Sequence, residues 1–145
     1  MIDFDEILQI LPHRPPMLLV DAVIEFEAGK RAVGLHTVTE EDCAGHFPGN
    51  PVMPGVKIAE ALAQVAAIIF LAEPPEHHGH PVYLVGLDKF RFRKPVLPGQ
   101  KLRLEVALDQ ARRGLYRFAA NATVDGERVA NGTIMAAAPE TPPIS

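Results

Sequence analysis

The 145-residue sequence has little of several features that would each point to a particular class of protein. Its one cysteine, Cys43, excludes an intramolecular disulfide framework and any zinc or iron–sulfur site built from several cysteines. Tryptophan is absent, and aromatic residues make up only 6 % of the chain. The formal net charge is −4, so the basic excess that is typical of nucleic-acid-binding proteins is missing and no nucleic-acid partner is expected.

Long hydrophobic runs are also missing. The longest apolar stretch, residues 56–72, is interrupted by Lys57, Glu60 and Gln64. A transmembrane helix needs about 20 predominantly apolar residues, so we expect no membrane span and interpret the stretch as a buried helix. The first residues are acidic, without a basic segment followed by an apolar one, which argues against a secretory signal and predicts a cytoplasmic location.

The residues that are present suit one globular core. Hydrophobic residues make up 48 % of the sequence, and its length is close to that of one domain. We predict a single domain over residues 1–138, followed by a disordered tail over residues 139–145. The sequence also holds 14 prolines, which is roughly twice the usual share of about 5 %.

The hydrophobic pattern predicts two helices and six strands. Apolar residues at helical spacing indicate a short helix over residues 3–11 and a long one over residues 56–71. Strands are predicted over residues 17–26, 31–38, 82–92, 101–110, 115–124 and 128–138. Because a helix that is apolar on nearly every side must be surrounded, we expect an α+β fold in which an antiparallel sheet of about six strands wraps around one long central helix.

The loop before the long helix is unusually constrained. Residues 44–55 contain three prolines and three glycines, which rule out regular structure and hold His46 in a fixed place. Rigid positioning is what a general base requires. Gly55 then begins the helix, whose unpaired N–H groups can stabilise an oxyanion.

Lys57, Glu60 and Gln64 lie on one face of that helix because their spacings are three and four. The stripe can be a solvated helix edge. Together with His46 and the helix N-terminus it can also form a catalytic set that suits proton abstraction next to a carbonyl, with a second group for a leaving hydroxyl. The residues alone leave these two interpretations about equally open.

Two segments carry a specific resemblance. Residues 45–56, GHFPGNPVMPGV, and residues 60–64, EALAQ, closely resemble the signature of the β-hydroxyacyl-[acyl-carrier-protein] dehydratases of bacterial fatty acid synthesis, Z type. The similarity extends to residues 11–14, 18–21, 86–89, 91–96 and 98–99. It implies the hotdog fold and a homodimer, often assembled into hexamers, whose active site takes its histidine from one subunit and its glutamate from the other.

The resemblance also implies roles for individual residues. His46 would remove the α-proton of a (3R)-hydroxyacyl thioester, and Glu60 would protonate or orient the departing hydroxyl to leave the trans-2-enoyl thioester. The backbone at Gly55 and Val56 would hold the carbonyl oxygen, and neither a metal nor an organic cofactor is implied. The sibling dehydratase–isomerase group has aspartate at the position of Glu60, which favours the Z type.

Further site residues follow from the same resemblance. Phe47, Pro54 and Val56 are expected to line the acyl tunnel, and Tyr83 aligns with a tyrosine near the tunnel mouth. Lys57 stands where the family usually has an aliphatic residue, and an ammonium group there would favour the ionised form of Glu60.

A basic segment follows the second loop. Lys89, Arg91 and Arg93 alternate with phenylalanines, so one strand face is expected to be basic and the other apolar. With Lys94, these residues belong to a segment, 89–103, that has six basic residues and no acidic one. The segment is either an ordinary solvated face or a docking surface for the acidic acyl carrier protein.

Two other functions stay open. A hotdog-fold acyl thioesterase would use Glu60 as base or nucleophile but would leave His46 unexplained, and a non-catalytic acyl-binding module would need neither residue. A dehydratase of a specialised secondary pathway is a further alternative. Several residues are interpreted as plainly structural: Cys43 as a buried inert thiol, His13 as an anchor after the first helix, and His77, His78 and His80 as loop residues.

Overall fold

A computed structural model describes residues 1–137. Its helices are α1 (Phe4–Ile10) and α2 (Gly55–Leu71), with 3₁₀ turns at Glu41–Cys43 and Pro75–His77. Its strands are β1 (Ala22–Glu27), β2 (Arg31–Thr37), β3 (Tyr83–Phe92), β4 (Lys101–Arg112), β5 (Leu115–Val124) and β6 (Glu127–Ala137). The predicted tail, residues 139–145, lies outside the described residues, and the assignment of residues 1–138 to one domain stays a prediction.

All six strands form one antiparallel sheet in the order β1-β2-β4-β5-β6-β3. The long helix α2 packs against the four inner strands β2, β4, β5 and β6. The α+β fold, with one long helix covered by a six-stranded antiparallel sheet, is therefore confirmed. Strands β1 and β3 are the two edges, and only β3 follows α2 directly in the chain.

Helix α2 is buried because its sequence is apolar on almost every side. Leu62, Val65 and Ile68 are fully buried, and burial of each such side chain stabilises the fold by about 1.5–3 kcal/mol. The close approach of α2 to β2 depends on Gly34, where a Cβ atom would lie 2.8 Å from Val65 Cγ2. None of the helices within residues 1–137 combines the length and hydrophobicity needed to cross a membrane.

The first strand begins later than its sequence predicts. The pattern predicts a strand from residue 17, but β1 begins at Ala22. The side chain of Gln64 explains the difference, since its Nε2 donates to the Met17 carbonyl and its Oε1 accepts from the Leu19 amide. Backbone groups that a neighbouring strand would otherwise bind are thus paired with a side chain of α2.

Candidate active site

His46 lies in the irregular segment between the 3₁₀ turn Glu41–Cys43 and α2. Its backbone N–H donates to the Cys43 carbonyl at 2.9 Å, and its own carbonyl accepts from the Val52 amide at 2.7 Å. Its ring Nδ1 lies 2.9 Å from the Val52 carbonyl oxygen, which can only accept. Nδ1 therefore carries the proton in the neutral ring, and Nε2 keeps the lone pair with which a general base takes up a proton.

The ring of His46 is also supported from one side by Phe47. The two ring centroids are 4.1 Å apart and stacked, and backbone hydrogen bonds in both directions join Phe47 to Asn50. Phe47 is nevertheless 54 % exposed, and Val56 is 73 % exposed. Within one chain, these two predicted tunnel residues lie at the surface and do not enclose a tunnel.

Glu60 lies on α2, about one helical turn after Val56, beside a small cavity of about 50 Å³. Its Oε2 accepts from Gln64 Nε2 at 2.8 Å and lies 3.6 Å from His13 Nε2. The other lining residues are small or apolar: Ala63, Ala67, Val82, Leu84 and Ala136. The Glu60 carboxylate is thus held at a cavity with both polar and apolar walls, which suits proton transfer to or from a substrate group.

His13 lies beside Glu60, whereas the sequence predicts only a structural anchor after α1. The ring lies next to Glu60, and its Nδ1 is buried without a hydrogen-bond partner among residues 1–137. The signal that could have found it is its position in the Leu11–Arg14 segment, which shares the resemblance of the catalytic loop.

His46 and Glu60 are not brought together within one chain. His46 is not among the residues that line the cavity beside Glu60, and no hydrogen bond or ion pair joins the two side chains in the described part of the chain. Each has its own local support, His46 from Val52 and Glu60 from Gln64. Within residues 1–137, the two side chains therefore have separate partners and no hydrogen bond or ion pair between them.

Gln64 connects the site to the core. It is 1 % exposed and binds the Met17 carbonyl, the Leu19 amide and Glu60 Oε2 at 2.7–2.8 Å. We expect Gln64→Leu to lower the free energy of unfolding by about 2–3 kcal/mol, because the buried Leu19 amide and the part-buried Met17 carbonyl lose their partner, at about 1–3 kcal/mol for a buried unsatisfied group. Urea denaturation measures the change. Gln9→Leu on the exposed face of α1 is the matched control, and equal midpoints for the two variants would contradict the expectation.

The first turn of α2 supplies free backbone donors. The amides of Lys57 and Ile58 bind the Pro54 carbonyl, whereas those of Gly55 and Val56 have no acceptor within residues 1–137. Among the described residues, no side chain caps this helix end. The free N–H groups and the positive end of the helix dipole can therefore bind a developing oxyanion.

The absence of a side chain at Gly55 also has a steric role. A Cβ atom there would lie 2.9 Å from the Phe92 ring, so glycine lets the last residue of β3 cover the start of α2. Pro54, a predicted tunnel residue, is the N-cap of α2 and is half-buried. The edge strand and the helix N-terminus are thus in direct contact.

The other residues singled out in the sequence are placed as follows. The ammonium of Lys57 donates to the Asp42 carbonyl at 3.0 Å, and within the described residues it forms no ion pair with Glu60. Tyr83 is 56 % exposed and does not line the cavity beside Glu60, although its neighbours Val82 and Leu84 do. Cys43 is 2 % exposed, which confirms the prediction of a buried thiol, and burial raises its pKa.

The basic segment differs from its prediction at one residue. A β-bulge between Asp88 and Arg91, with Lys89 at φ 54°, interrupts the expected strict alternation, so that prediction is wrong at Lys89. Arg93 Nε donates to Asn131 Oδ1 at 3.0 Å. Lys94 forms an ion pair with Glu127, and Arg91 is exposed.

Metal ligands are not clustered. Within residues 1–137, no group of three or more histidine, cysteine, aspartate or glutamate side chains is arranged to hold a metal ion. His77, His78 and His80 lie around the 3₁₀ turn that follows α2, where His78 Nε2 donates to the Ala72 carbonyl at 3.0 Å.

A long helix covered by a six-stranded antiparallel sheet defines a hotdog-fold protein. The chain resembles a dehydratase heterocomplex from Xenorhabdus doucetiae, with a TM-score of 0.76, 18 % identity and coverage of 92 % of this chain and 91 % of that one. It also resembles a hypothetical thioesterase from Streptococcus pneumoniae, with a TM-score of 0.65, 10 % identity and coverage of 82 % and 85 %. At such identities these likenesses show the fold alone.

Sequence similarity identifies the family. The model of the FabA-like domain matches residues 11–133. A 3-hydroxyacyl-[acyl-carrier-protein] dehydratase FabZ of Herpetosiphon aurantiacus is 56 % identical over 93 % of this chain and 96 % of its own. The corresponding protein of Geobacillus thermodenitrificans is 46 % identical over 98 % and 99 %. This chain therefore belongs to the FabA-like family, among the dehydratases of the FabZ type.

Proposed function

We propose that this protein is a hydro-lyase that converts (3R)-hydroxyacyl chains on acyl carrier protein into trans-2-enoyl chains in fatty acid biosynthesis. Curated relatives that are 46–56 % identical over most of the chain carry the name of this activity. The observation that supports the proposal is the local setting of the two candidate catalytic groups. His46 keeps a free Nε2, and Gln64 holds Glu60 beside a cavity that His13 and apolar side chains also line.

The mechanism follows from these two groups. His46 Nε2 takes the proton from C2 of the substrate, and the C2–H electron pair moves into the developing C2–C3 double bond. The C3–O bond breaks, and a proton from Glu60, directly or through water, leaves with the hydroxyl as water. The amides of Gly55 and Val56 bind the thioester carbonyl oxygen while negative charge builds on it. The thioester itself acidifies C2, so the mechanism uses no metal or organic cofactor.

A homodimer with composite sites would bring the two halves together. The edge strand β3 exposes Tyr83, Leu84, Val85 and Leu87, each 43–56 % accessible. An exposed apolar edge strand is a surface on which another chain pairs. Phe92, at the end of the same strand, lies against the start of α2. Pairing along β3 would therefore place a second copy beside the helix N-terminus, with Phe47 and Val56 as tunnel walls and Tyr83 near its mouth.

Assembly into a hexamer and the cytoplasmic location stay predictions.

One assay distinguishes the candidate functions. The protein is given a trans-2-enoyl thioester, and the conjugated chromophore and free thiol are both followed over time. Loss of the chromophore without thiol release supports the dehydratase, because the reaction is reversible. Thiol release would support the thioesterase, and neither change would support an acyl-binding module. Repeating the assay with hydroxyacyl chains of several lengths on acyl carrier protein separates a primary from a specialised pathway.

The possible docking surface around Arg91 and Arg93 gives a further prediction, which is tested by comparing KM for two substrates. We expect the double reversal Arg91→Glu with Arg93→Glu to raise KM for carrier-bound substrate roughly tenfold, because favourable charge steering is replaced by repulsion of the acidic carrier. KM for a short-chain CoA analogue should stay within about twofold.

The matched control reverses Arg112 and Arg113, which makes the same change in net charge at the turn between β4 and β5. Initial rates at several salt concentrations test whether the increase in KM is electrostatic. Added salt should then reduce the difference in KM for carrier-bound substrate between wild type and the Arg91/Arg93 variant. An equal loss on the carrier-bound and CoA substrates would refute docking at this surface.

A further inference from the structure

His36 lies on β2 between two carboxylates and is 5 % exposed. Its Nδ1 is 3.0 Å from Asp21 Oδ1, and its Nε2 is 2.7 Å from Asp42 Oδ2. The second oxygen of Asp21 accepts from the Thr37 amide at 2.6 Å, and Asp42 Oδ2 also accepts from the Thr39 amide at 2.8 Å. We call Asp21, His36 and Asp42 the histidine bridge.

The geometry defines the protonation state of the bridge. Ionised carboxylates only accept hydrogen bonds, so both ring nitrogens of His36 must donate, and the ring is an imidazolium. Burial by itself would lower the pKa of His36, but the hydrogen bonds to Asp21 and Asp42 outweigh burial and raise that pKa above 6.5. Burial would raise the pKa of Asp21, but its bonds to His36 and the Thr37 amide lower it below 3.8.

Other charged groups reach the histidine bridge from the neighbouring elements. Lys101 on β4 acts on the Asp21 carboxylate. Lys57 on α2 donates to the Asp42 carbonyl, and Glu40 and the Cys43 thiol flank Asp42 along the chain. The two carboxylates of the bridge are the charged groups that bond the ring itself.

The bridge is connected to the catalytic loop through Asp42. The Asp42 side chain binds His36 and Thr39, and its carbonyl accepts from Lys57 on α2. The carbonyl of the next residue, Cys43, accepts the backbone N–H of His46 at 2.9 Å. The 3₁₀ turn that carries Asp42 is thus bonded to the buried His36 ring through the Asp42 side chain. It is bonded to the His46 loop through the Cys43 carbonyl.

We propose that the histidine bridge positions the His46 segment, and that loss of the proton from His36 releases this segment. His36, Asp21 and Asp42 are positioning residues, since they act on the reaction through the backbone of the loop and do not touch the substrate. The kinetic part of this inference rests on the proposed dehydratase function. The structural part does not.

The pH dependence follows from the two pKa shifts. The raised pKa of His36 gives a contribution to stability that is fully present below pH 6.5 and is lost as the pH rises through the raised value. The lowered pKa of Asp21 gives a contribution that is present above pH 3.8 and is lost as the pH falls through the lowered value. The bridge therefore holds the loop between the lowered pKa of Asp21 and the raised pKa of His36, and releases it as the pH rises through the latter.

Asp42→Asn is the most informative variant. Asp42 Oδ2 accepts from both His36 Nε2 and the Thr39 amide, and the amide oxygen of asparagine can take its place in both hydrogen bonds. The variant then loses the negative charge that favours the imidazolium, so the pKa of His36 should fall. We expect kcat at pH 5 within about twofold of wild type, a decline of kcat with rising pH that begins at lower pH than in wild type, and KM within about threefold. His80→Gln, in the loop after α2, is the histidine control and should keep the wild-type pH profile.

Solution NMR tests the inference without an activity assay. In wild type, the amide signals of Cys43 and His46 should each show a component that titrates with the pKa of the His36 ring. Asp42→Asn should move this component to lower pH. Amide signals that do not follow His36 would overturn the inference even if the protein is an active dehydratase. An inactive protein whose amides follow His36 would keep the inference and reject the proposed function.

His36→Leu provides a second measurement. It leaves the buried Asp42 carboxylate without its ring partner, so we expect a roughly tenfold loss of kcat at pH 7 through displacement of the loop. If this variant does not fold, Asp42→Asn still decides the question. An alkaline limb in kcat that is unchanged in Asp42→Asn would contradict the proposal.

Discussion

His46→Ala should lower kcat/KM for the (3R)-hydroxyacyl substrate by roughly 10³-fold, within the range of about 10²–10⁴ that a positioned general base contributes. The variant removes the only ring nitrogen that the loop leaves free to take up the C2 proton, since Nδ1 is bonded to the Val52 carbonyl. Because the ring acts in the transition state, the loss should appear in kcat more than in KM. Steady-state kinetics on carrier-bound substrate measure both parameters.

The control for this loss is a histidine outside the site. His80→Ala should keep the wild-type rate, and thermal unfolding should show that His46→Ala retains a folded chain. Alanine removes one hydrogen bond to Val52, for which the expected cost is about 1 kcal/mol, too little to unfold a domain of this size. A His46→Ala protein within about threefold of the wild-type rate would reject His46 as the base.

The long helix and most strands could be predicted from sequence because their signals are local. Residues 56–71 are apolar on every side of the helix except the stripe of Lys57, Glu60 and Gln64, and the structure gives Gly55–Leu71. The start of β1 could not be predicted, because the groups that compete for its backbone belong to Gln64, which lies 45 residues away from Leu19. A local pattern of apolar residues cannot report a side chain that arrives from another element.

In the candidate site, too, features set by local sequence were predictable and contacts between distant elements were not. The position of His46 was predictable, because prolines and glycines next to it constrain its own loop, and the position of Glu60 follows from helical spacing. His13 and the histidine bridge were not predictable. Their partners come from different elements, and the pairing exists only after the sheet and α2 have packed. The exposure of β3 is likewise a property of its edge position, since residues 82–92 are as apolar in sequence as an inner strand.

Mixing two inactive variants should restore activity, and this is the second large effect that we expect. His46→Ala and Glu60→Gln each remove one half of the catalytic pair. If His46 of one subunit works with Glu60 of the other, a heterodimer of the two variants has one intact site and one site that lacks both groups. Random exchange of subunits makes half of the dimers mixed, so about a quarter of all sites are intact. The rate should rise from the background of either variant to about a quarter of the wild-type rate.

A second mixture also distinguishes a composite site from a site built within one subunit. A chain that carries both substitutions is mixed in equal amounts with wild type, with subunit exchange under mild denaturant and refolding. In a composite site, every mixed dimer is inactive, so only wild-type homodimers work and about a quarter of all sites remain active. In a site built within one subunit, each wild-type chain would stay active in any dimer, and about half of the sites would remain. A rate near one half, together with no recovery in the first mixture, would refute the composite site. A rate near one quarter in both mixtures can arise only if His46 of one subunit works with Glu60 of the other.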